Sequence, residues 1–281
     1  MSTSVTDNMN LVTDREFEFL PRDFARVRAL IYERAGISLH EGKQAMVYSR
    51  LSRRLRDTGH NSFESYLKWL ESGNGAQQEW QEFVNCLTTN LTSFFREEHH
   101  FLALTEWLSA RANQPTRIWC CAASTGEEPY SLAITVAETM GLHAPVKIIC
   151  SDIDTNVLAT ASRGVYDANA RGLNPQRLRT YFLRGKGGNS GSIRVKPELA
   201  RLVEFKPFNL MQTSWQLGDP FDVVFCRNVM IYFDAPTQRK VLERIHGVMK
   251  PKGQLFVGHS ENFTESRDLF TLRGKTIYDR V

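Results

Sequence analysis

The chain lacks any CxxC spacing, and its five cysteines stand scattered at positions 86, 120, 121, 150 and 226. An odd, unpaired set argues against a disulfide framework and a thiolate metal centre, and predicts reduced, mostly buried thiols. No apolar run is long enough to span a bilayer, so no direct membrane insertion is expected. The opening MSTSVTDNMN is polar and has no hydrophobic core of a secretory signal, which predicts a cytoplasmic protein. A strong charge of one sign is also missing: 35 Lys and Arg against 31 Asp and Glu leave a net charge of +4. That excess is smaller than a dedicated nucleic-acid binder carries, and no nucleic-acid partner is expected. Neither heptads nor a wide exposed apolar stripe is present, which favours a monomer.

What is present divides into two textures. At 281 residues the chain suits one sizeable core plus a smaller module. From Pro21 to about Ala112, apolar residues recur every three or four positions, and glycines 36, 59 and 73 fall where helices should stop. This half predicts a small helical bundle. From Arg117 onward, RIWCCA, VKIICSD, LVEFKPFN, FDVVFCRN and GQLFVGHS are short apolar runs, several separated by helical stretches such as 127–140 and 236–249. That alternation predicts a parallel sheet covered on both faces, an α/β fold. The run around Arg273-Gly274-Lys275 signals an antiparallel hairpin at the edge. Between the second and third apolar runs, four glycines within residues 185–191 mark either an inserted β-hairpin or a plain surface loop.

In an open α/β sheet, ligands bind beyond the carboxyl ends of the strands. The residues after the first four runs are Ser124 to Pro129, Ser151 to Asp154, Asn209-Leu210 and Cys226-Arg227-Asn228. Asp152 stands where an acid can accept both hydroxyls of a ribose. The G-x-G-x-x-G that brings backbone against a pyrophosphate is absent, and Glu127 and Glu128 would repel one. A nucleoside carrying a sulfonium and an ammonium fits an acidic loop better, which points to S-adenosylmethionine. Ser124-x-x-Glu127 also reads as a capping box, and first-turn acids suit a helix dipole, so capping alone explains the loop as well; both readings hold together with Glu127 capping and Glu128 facing the ligand. Asn90, Thr92 and Arg96, in TTNLTSFFREEHHF, offer donors that could cover the cofactor, or simply form a linker with a helix cap. The histidine pair 99–100 reads as solvated helix surface without metal-ligand spacing.

Tyr232 follows Asn228 by four residues, close enough for its ring to face a reacting methyl, although core packing explains it as well. The N-P-P-[YF] motif of amine and adenine methyltransferases is not found there, which points away from a base nitrogen as acceptor. In the helical half, Arg50, Arg53 and Arg56 fall within roughly a 120° arc opposite Val47, Leu51 and Leu55, with Arg54 bordering it. Such a face docks an acidic helix or a phosphate backbone, or is only solvated.

TTNLTSFFRE, ASTGEEPYS, SDIDTNVL, FCRNVMIYFD and GHSEN together resemble the CheR-type chemotaxis receptor methyltransferases in order and spacing over about residues 20–280. The resemblance implies a helical domain (1–89), a cofactor-covering segment (90–112) and a Rossmann-like class I methyltransferase domain (113–281) with a β-subdomain at about 170–206. It implies cofactor contacts at Asn90, Thr92, Arg96, Glu128, Asp152, Asn209, Leu210, Arg227 and Asn228, with Arg96 and Tyr232 catalytic and no metal. The implied reaction methylates γ-carboxylates of glutamates on the cytoplasmic helices of membrane chemoreceptors. Arg50, Arg53, Arg54 and Arg56 would then dock those acidic helices. The loop with Gly187 and Gly188 is similar to one that tethers a receptor's C-terminal pentapeptide. An RNA methyltransferase and a non-catalytic S-adenosylmethionine sensor are the alternatives.

Overall fold

The computed structural model describes residues 15–73, 76–111 and 114–281. The polar opening and the domain boundary expected at 112/113 lie outside the described residues. Two compact units divide them: one runs to Leu30 and resumes over His40–Leu87, the other takes Ile31–Leu39 and Thr88–Val281.

The first unit holds most of α1 (Pro21–Ala35), then α2 (Gln44–Thr58), α3 (Phe63–Glu71) and α4 (Ala76–Leu87). Val47, Leu51 and Leu55 are fully buried, as their spacing by four on α2 requires. The helix ends at Gly59, whose φ of 72° is the left-handed conformation glycine adopts without steric cost. Ser62 caps α3 by accepting from the Ser65 N–H at 3.2 Å.

The arginine face of α2 is narrower than the sequence suggests. Arg53 and Arg56 reach outward, with 80% and 51% of their side chains exposed, and Arg53 lies 3.8 Å from Asp57. Arg54 is a correction to that face: it follows Leu51 by three, so it turns toward α4 and only 18% of its side chain is exposed. Its Nε donates to Glu79 Oε1 at 3.0 Å, and the Tyr66 hydroxyl donates to the same oxygen at 2.7 Å. Arg50 donates to the Cys86 carbonyl at 3.2 Å. Arg54→Ala would leave the buried Glu79 carboxylate without its cation, at a cost of about 3 kcal/mol. Arg53→Ala is expected to stay within about 0.5 kcal/mol of the parent. Equal denaturation midpoints for the two variants would show that Arg54 is surface like the others.

The second unit runs α5 (His99–Ser109), β1 (Thr116–Cys120), α6 (Glu127–Met140), β2 (Val146–Asp152), α7 (Thr155–Arg163), β3 (Val165–Asp167), α8 (Pro175–Tyr181), β4 (Phe182–Arg184), β5 (Ser192–Val195), α9 (Pro197–Ala200), β6 (Val203–Pro207), β7 (Phe221–Cys226), α10 (Ala235–Gly247), β8 (Met249–Val257), β9 (Phe270–Gly274) and β10 (Ile277–Arg280). The main sheet has the order β6-β2-β1-β7-β8-β10-β9. β1 pairs in parallel with β2 on one side and β7 on the other, aligning Cys120 with Cys150 and with Phe225. Chain order reverses between β1 and β7, and in an open α/β sheet such a switch point is where a ligand crevice lies, beyond the carboxyl ends of the strands.

Both faces of the sheet are covered, which is why its strands read as unbroken apolar runs. Ile118, Ile148, Val223 and Phe225 belong to the cluster containing Phe101 and Leu104 of α5 and Leu132 of α6. Trp119, Ile149, Val224 and Leu255 belong to the opposite cluster, with Val241 and Ile245 of α10. The terminal hairpin forms as expected: β10 pairs antiparallel with both β8 and β9.

The glycine-rich insertion is a hairpin. β4 and β5 pair antiparallel from Phe182↔Val195 to Arg184↔Ile193, and β3 adds a third strand along β5. The loop is only partly open. A side chain at Gly185 would strike the Asn189 carbonyl, whereas Gly187 and Gly188 face open space. Among the described residues, no helix is long and apolar enough to cross a membrane.

Candidate functional site

The crevice is built on the loop from β1 to α6. Ser124 (φ 48°) and Gly126 (φ 100°) turn the chain sharply, and a Cβ on Gly126 would press on Ala161 and the Tyr166 hydroxyl. The expected capping box does not form, because Gly126 itself occupies the N-cap and offers no side chain. Ser124 Oγ donates instead to the Asn90 carbonyl at 2.9 Å, and Glu127 accepts from Thr125 Oγ1 at 2.6 Å.

Glu128 turns inward. Its Oε2 accepts from Arg227 Nη1 at 2.6 Å, and Cys120 Sγ lies 3.3 Å from Oε1. The Arg227 side chain is fully buried, lies 3.3 Å from Glu97 Oε2, and donates to the Arg96 carbonyl. Two carboxylates therefore share one guanidinium. Burial pushes the Glu97 carboxyl up, but Arg227 and the His259 hydrogen bond outweigh it and hold the group down at about 2. At Glu128 burial dominates and raises the carboxyl against the pull of Arg227.

Asp152 ends β2 and is almost fully buried. Its two oxygens accept from the backbone N–H groups of Ser124 (2.8 Å) and Asp154 (3.0 Å), which orient the carboxylate and leave it further lone pairs. Burial pushes its pKa up to about 6 despite those bonds. A ribose donating to Asp152 would favour the ionised form, so nucleoside affinity should weaken as pH falls through about 6. Calorimetric titration with S-adenosylhomocysteine from pH 5 to 8 checks this; a pH slope that survives in Asp152→Asn assigns it elsewhere.

The other expected residues surround these. Asn90 Nδ2 and Thr88 Oγ1 both donate to Asp154 Oδ2 at 2.8 Å, fastening the 88–92 segment to the end of β2, while Thr92 is half-buried on it. Arg96 Nη1 donates to the Leu91 carbonyl at 2.9 Å. Asn209 and Leu210 follow β6 and are joined to the crevice where the Phe208 N–H meets the Asp152 carbonyl at 2.9 Å. Asn209 donates to the Arg34 carbonyl at 2.7 Å and accepts from the Met211 N–H at 2.8 Å. Asn228, at φ 57°, points its Nδ2 toward Glu97 Oε1 at 3.4 Å. Tyr232 closes a single 3-10 turn, its hydroxyl 3.5 Å from the Thr89 carbonyl.

Glu97, His100, His259 and Glu261 also enter this neighbourhood and were missed in the sequence. Glu97 was hidden inside an acidic pair. Glu261 follows the fifth parallel strand, β8, and its place beyond a strand's carboxyl end is the signal that marks it. His100 corrects the solvated reading: it is fully buried and its Nε2 meets the Lys275 carbonyl and Thr276 Oγ1 at 3.1 and 3.0 Å. Burial lowers its pKa to about 4, so the ring is neutral near pH 7. Glu97, His99 and His100 bring one ligand atom each within 4.8 Å of one another, closer than their spacing suggested. A cation held there would lie beside Arg227, whose guanidinium already neutralises Glu97.

The donor set suits a cationic nucleoside. Asp152, at a strand end, could accept hydroxyls, and Arg227, the one buried Lys or Arg among the described residues, is already claimed by two carboxylates and so offers a pyrophosphate no free clamp. Sulfonium and ammonium groups entering there would meet acids.

Residues 90–278 match the family model described as CheR methyltransferase, SAM binding domain, and residues 22–88 match CheR methyltransferase, all-alpha domain. A chemotaxis protein methyltransferase of Escherichia coli (strain K12) is 52% identical over 91% of this chain and 89% of its own length. Chemotaxis protein methyltransferase 2 of Pseudomonas aeruginosa is 49% identical over 94% of this chain and 95% of its own. A probable chemotaxis protein methyltransferase of Rhizobium etli is 39% identical over 89% and 96%. The chain belongs to the CheR methyltransferase family, and the crevice lies in its S-adenosylmethionine-binding domain.

Proposed function

We propose that the protein esterifies the γ-carboxylate of glutamates on the cytoplasmic helices of chemoreceptors, as a cytoplasmic monomer serving sensory adaptation. The observation that carries the choice of acceptor is that, among the described residues, four acids at the crevice each already have a partner inside the protein. Glu97 and Glu128 share Arg227, while Asp152 and Glu261 accept backbone N–H groups. None is set aside as a general base. A glutamate side chain, with an ordinary pKa of about 4.3, is already ionised near neutral pH and requires none.

S-adenosylmethionine supplies a methyl activated on a sulfonium. Around it, Asp152 would take the ribose hydroxyls, Glu128 the positive end, and Asn90, Thr92, Asn209, Leu210, Arg227 and Asn228 would complete the pocket. Arg96 steers a carboxylate, and Tyr232 aligns the acceptor or shields the methyl. Catalysis then rests on desolvation and alignment, which contribute about 7–11 kcal/mol in well-oriented reactions. The helical part (1–89) docks the receptor mainly through Arg53 and Arg56, with Arg50 and Arg54 shaping the helix behind them. The segment 90–112 covers the cofactor, the rest (113–281) carries it, and the open loop at Gly187 and Gly188 receives a receptor's C-terminal peptide.

Labelled S-adenosylmethionine and receptor-containing membranes test the proposal. Label should enter the receptor and be released as methanol by mild base. Base-stable label would overturn the carboxyl ester.

A further inference from the structure

The segment after β8, Gly258-His259-Ser260-Glu261-Asn262, is given no contact with cofactor or acceptor above, yet it grips the turn that follows β7. Glu261 is 3% exposed. Its Oε2 accepts from the N–H groups of Asn228 (2.9 Å) and Gly258 (2.5 Å), and its Oε1 accepts from the N–H of Met230 (2.8 Å). One buried carboxylate thus satisfies three backbone donors drawn from two segments that are not neighbours in sequence. Burial raises this carboxyl, and the N–H groups of Gly258, Asn228 and Met230 draw it back.

The gripped turn is not a relaxed one. Asn228 holds φ 57°, in the left-handed region. Behind it, a Cβ on Gly258 would clash with Asn228 Nδ2 and stand 3.0 Å from Asn228 N. The turn therefore has a carboxylate binding its N–H groups on one side and bare glycine backbone against its side chain on the other. Arg227 precedes it and Tyr232 ends it, so its conformation decides how both enter the crevice.

We infer that Glu261 is a positioning residue for methyl transfer: with Gly258 behind Asn228, its carboxylate fixes the Asn228–Met230 turn and thereby the placing of Asn228 and Tyr232. The inference rests on the proposed function for its turnover assay and is independent of it for cofactor binding.

Glu261→Gln keeps the shape but turns an NH2 against an N–H group. It should lower kcat by roughly 10–100-fold, in keeping with a displacement of about 1 Å at the reacting groups. Gly258→Ala should weaken S-adenosylhomocysteine by roughly tenfold, and the same change on an Asn228→Ala background should cost at least about threefold less, because the amide it strikes is gone and only the 3.0 Å contact with the backbone nitrogen remains. Kd by calorimetry, kcat and KM on receptor membranes, and unfolding midpoints are measured on the full chain. Native kcat and Kd in Glu261→Gln would overturn the inference. So would an equal Gly258→Ala penalty with and without the Asn228 side chain, or variants that merely unfold earlier while the folded fraction keeps its kcat. If Glu261→Gln does not fold, the Gly258 and Asn228 cycle decides. A parent protein that binds S-adenosylhomocysteine but leaves receptors unmethylated would sink the proposed acceptor, and the binding cycle would still test the turn.

Discussion

Arg227→Ala is expected to eliminate S-adenosylmethionine binding and to lower the unfolding temperature by roughly 10 °C. The guanidinium lies between Glu97 and Glu128, each with 11% of its side chain exposed. Removing it leaves two buried carboxylates facing each other, and breaking a buried pair from one side costs about 3–5 kcal/mol. For a unit of this size each kcal/mol moves Tm by about 2–4 °C. Arg227→Lys should recover part of the stability, since a point charge answers one carboxylate well and cannot fork to two. In the parent protein, Glu97 is depressed to about 2, so its contribution is fully present above its ordinary value and lost as pH falls toward 2. In Arg227→Ala that acid-side loss should vanish. Thermal scans of both proteins from pH 3 to 8 check it, and parallel profiles would refute the shared-guanidinium account.

Glu128→Gln should weaken S-adenosylmethionine by roughly 10–100-fold, the scale for disturbing a desolvated charged contact. Glu127→Gln should stay within about twofold, since that carboxylate answers a neighbouring threonine hydroxyl outside the ion network. The reverse order of effects would show that the two acids had been assigned the wrong way round. Glu128 also carries a protonation argument. Burial raises its carboxyl, whereas a bound cation beside it would lower it again, so on the acid side, where the free protein still holds that proton, binding should release it into the buffer. Calorimetry in buffers of different ionisation enthalpy measures that release in the parent and should find it reduced in Glu128→Gln.

The parallel sheet was legible because its strands are covered on both sides and so appear as unbroken apolar runs, and the rule that ligands gather at strand ends led to Asp152, Arg227 and Asn228 from spacing alone. β3 was not legible: three residues, Val165 to Asp167, are too few to show a period, and their partner strand lies almost thirty positions away. The capping box at Ser124 failed because the chain turns left-handed there, moving the cap to a glycine. The burial of His100 and of Arg54 is illegible in the sequence for one reason. Each is a polar residue at a helix position whose inward or outward sense depends on a partner far along the chain, Thr276 for one and Glu79 for the other. Local periodicity has no access to such partners.

The bond between Glu128 and Arg227 joins residues 99 positions apart, and β1 meets β7 at a similar separation. Closing a loop of that length costs about 2 kcal/mol more in chain entropy than closing a ten-residue one. Helices such as α6 and α10 form from near neighbours and carry no such penalty. By that measure the crevice is expected to form later than the helices that flank it, so its ligand site depends on long-range pairing and not on local helical signal.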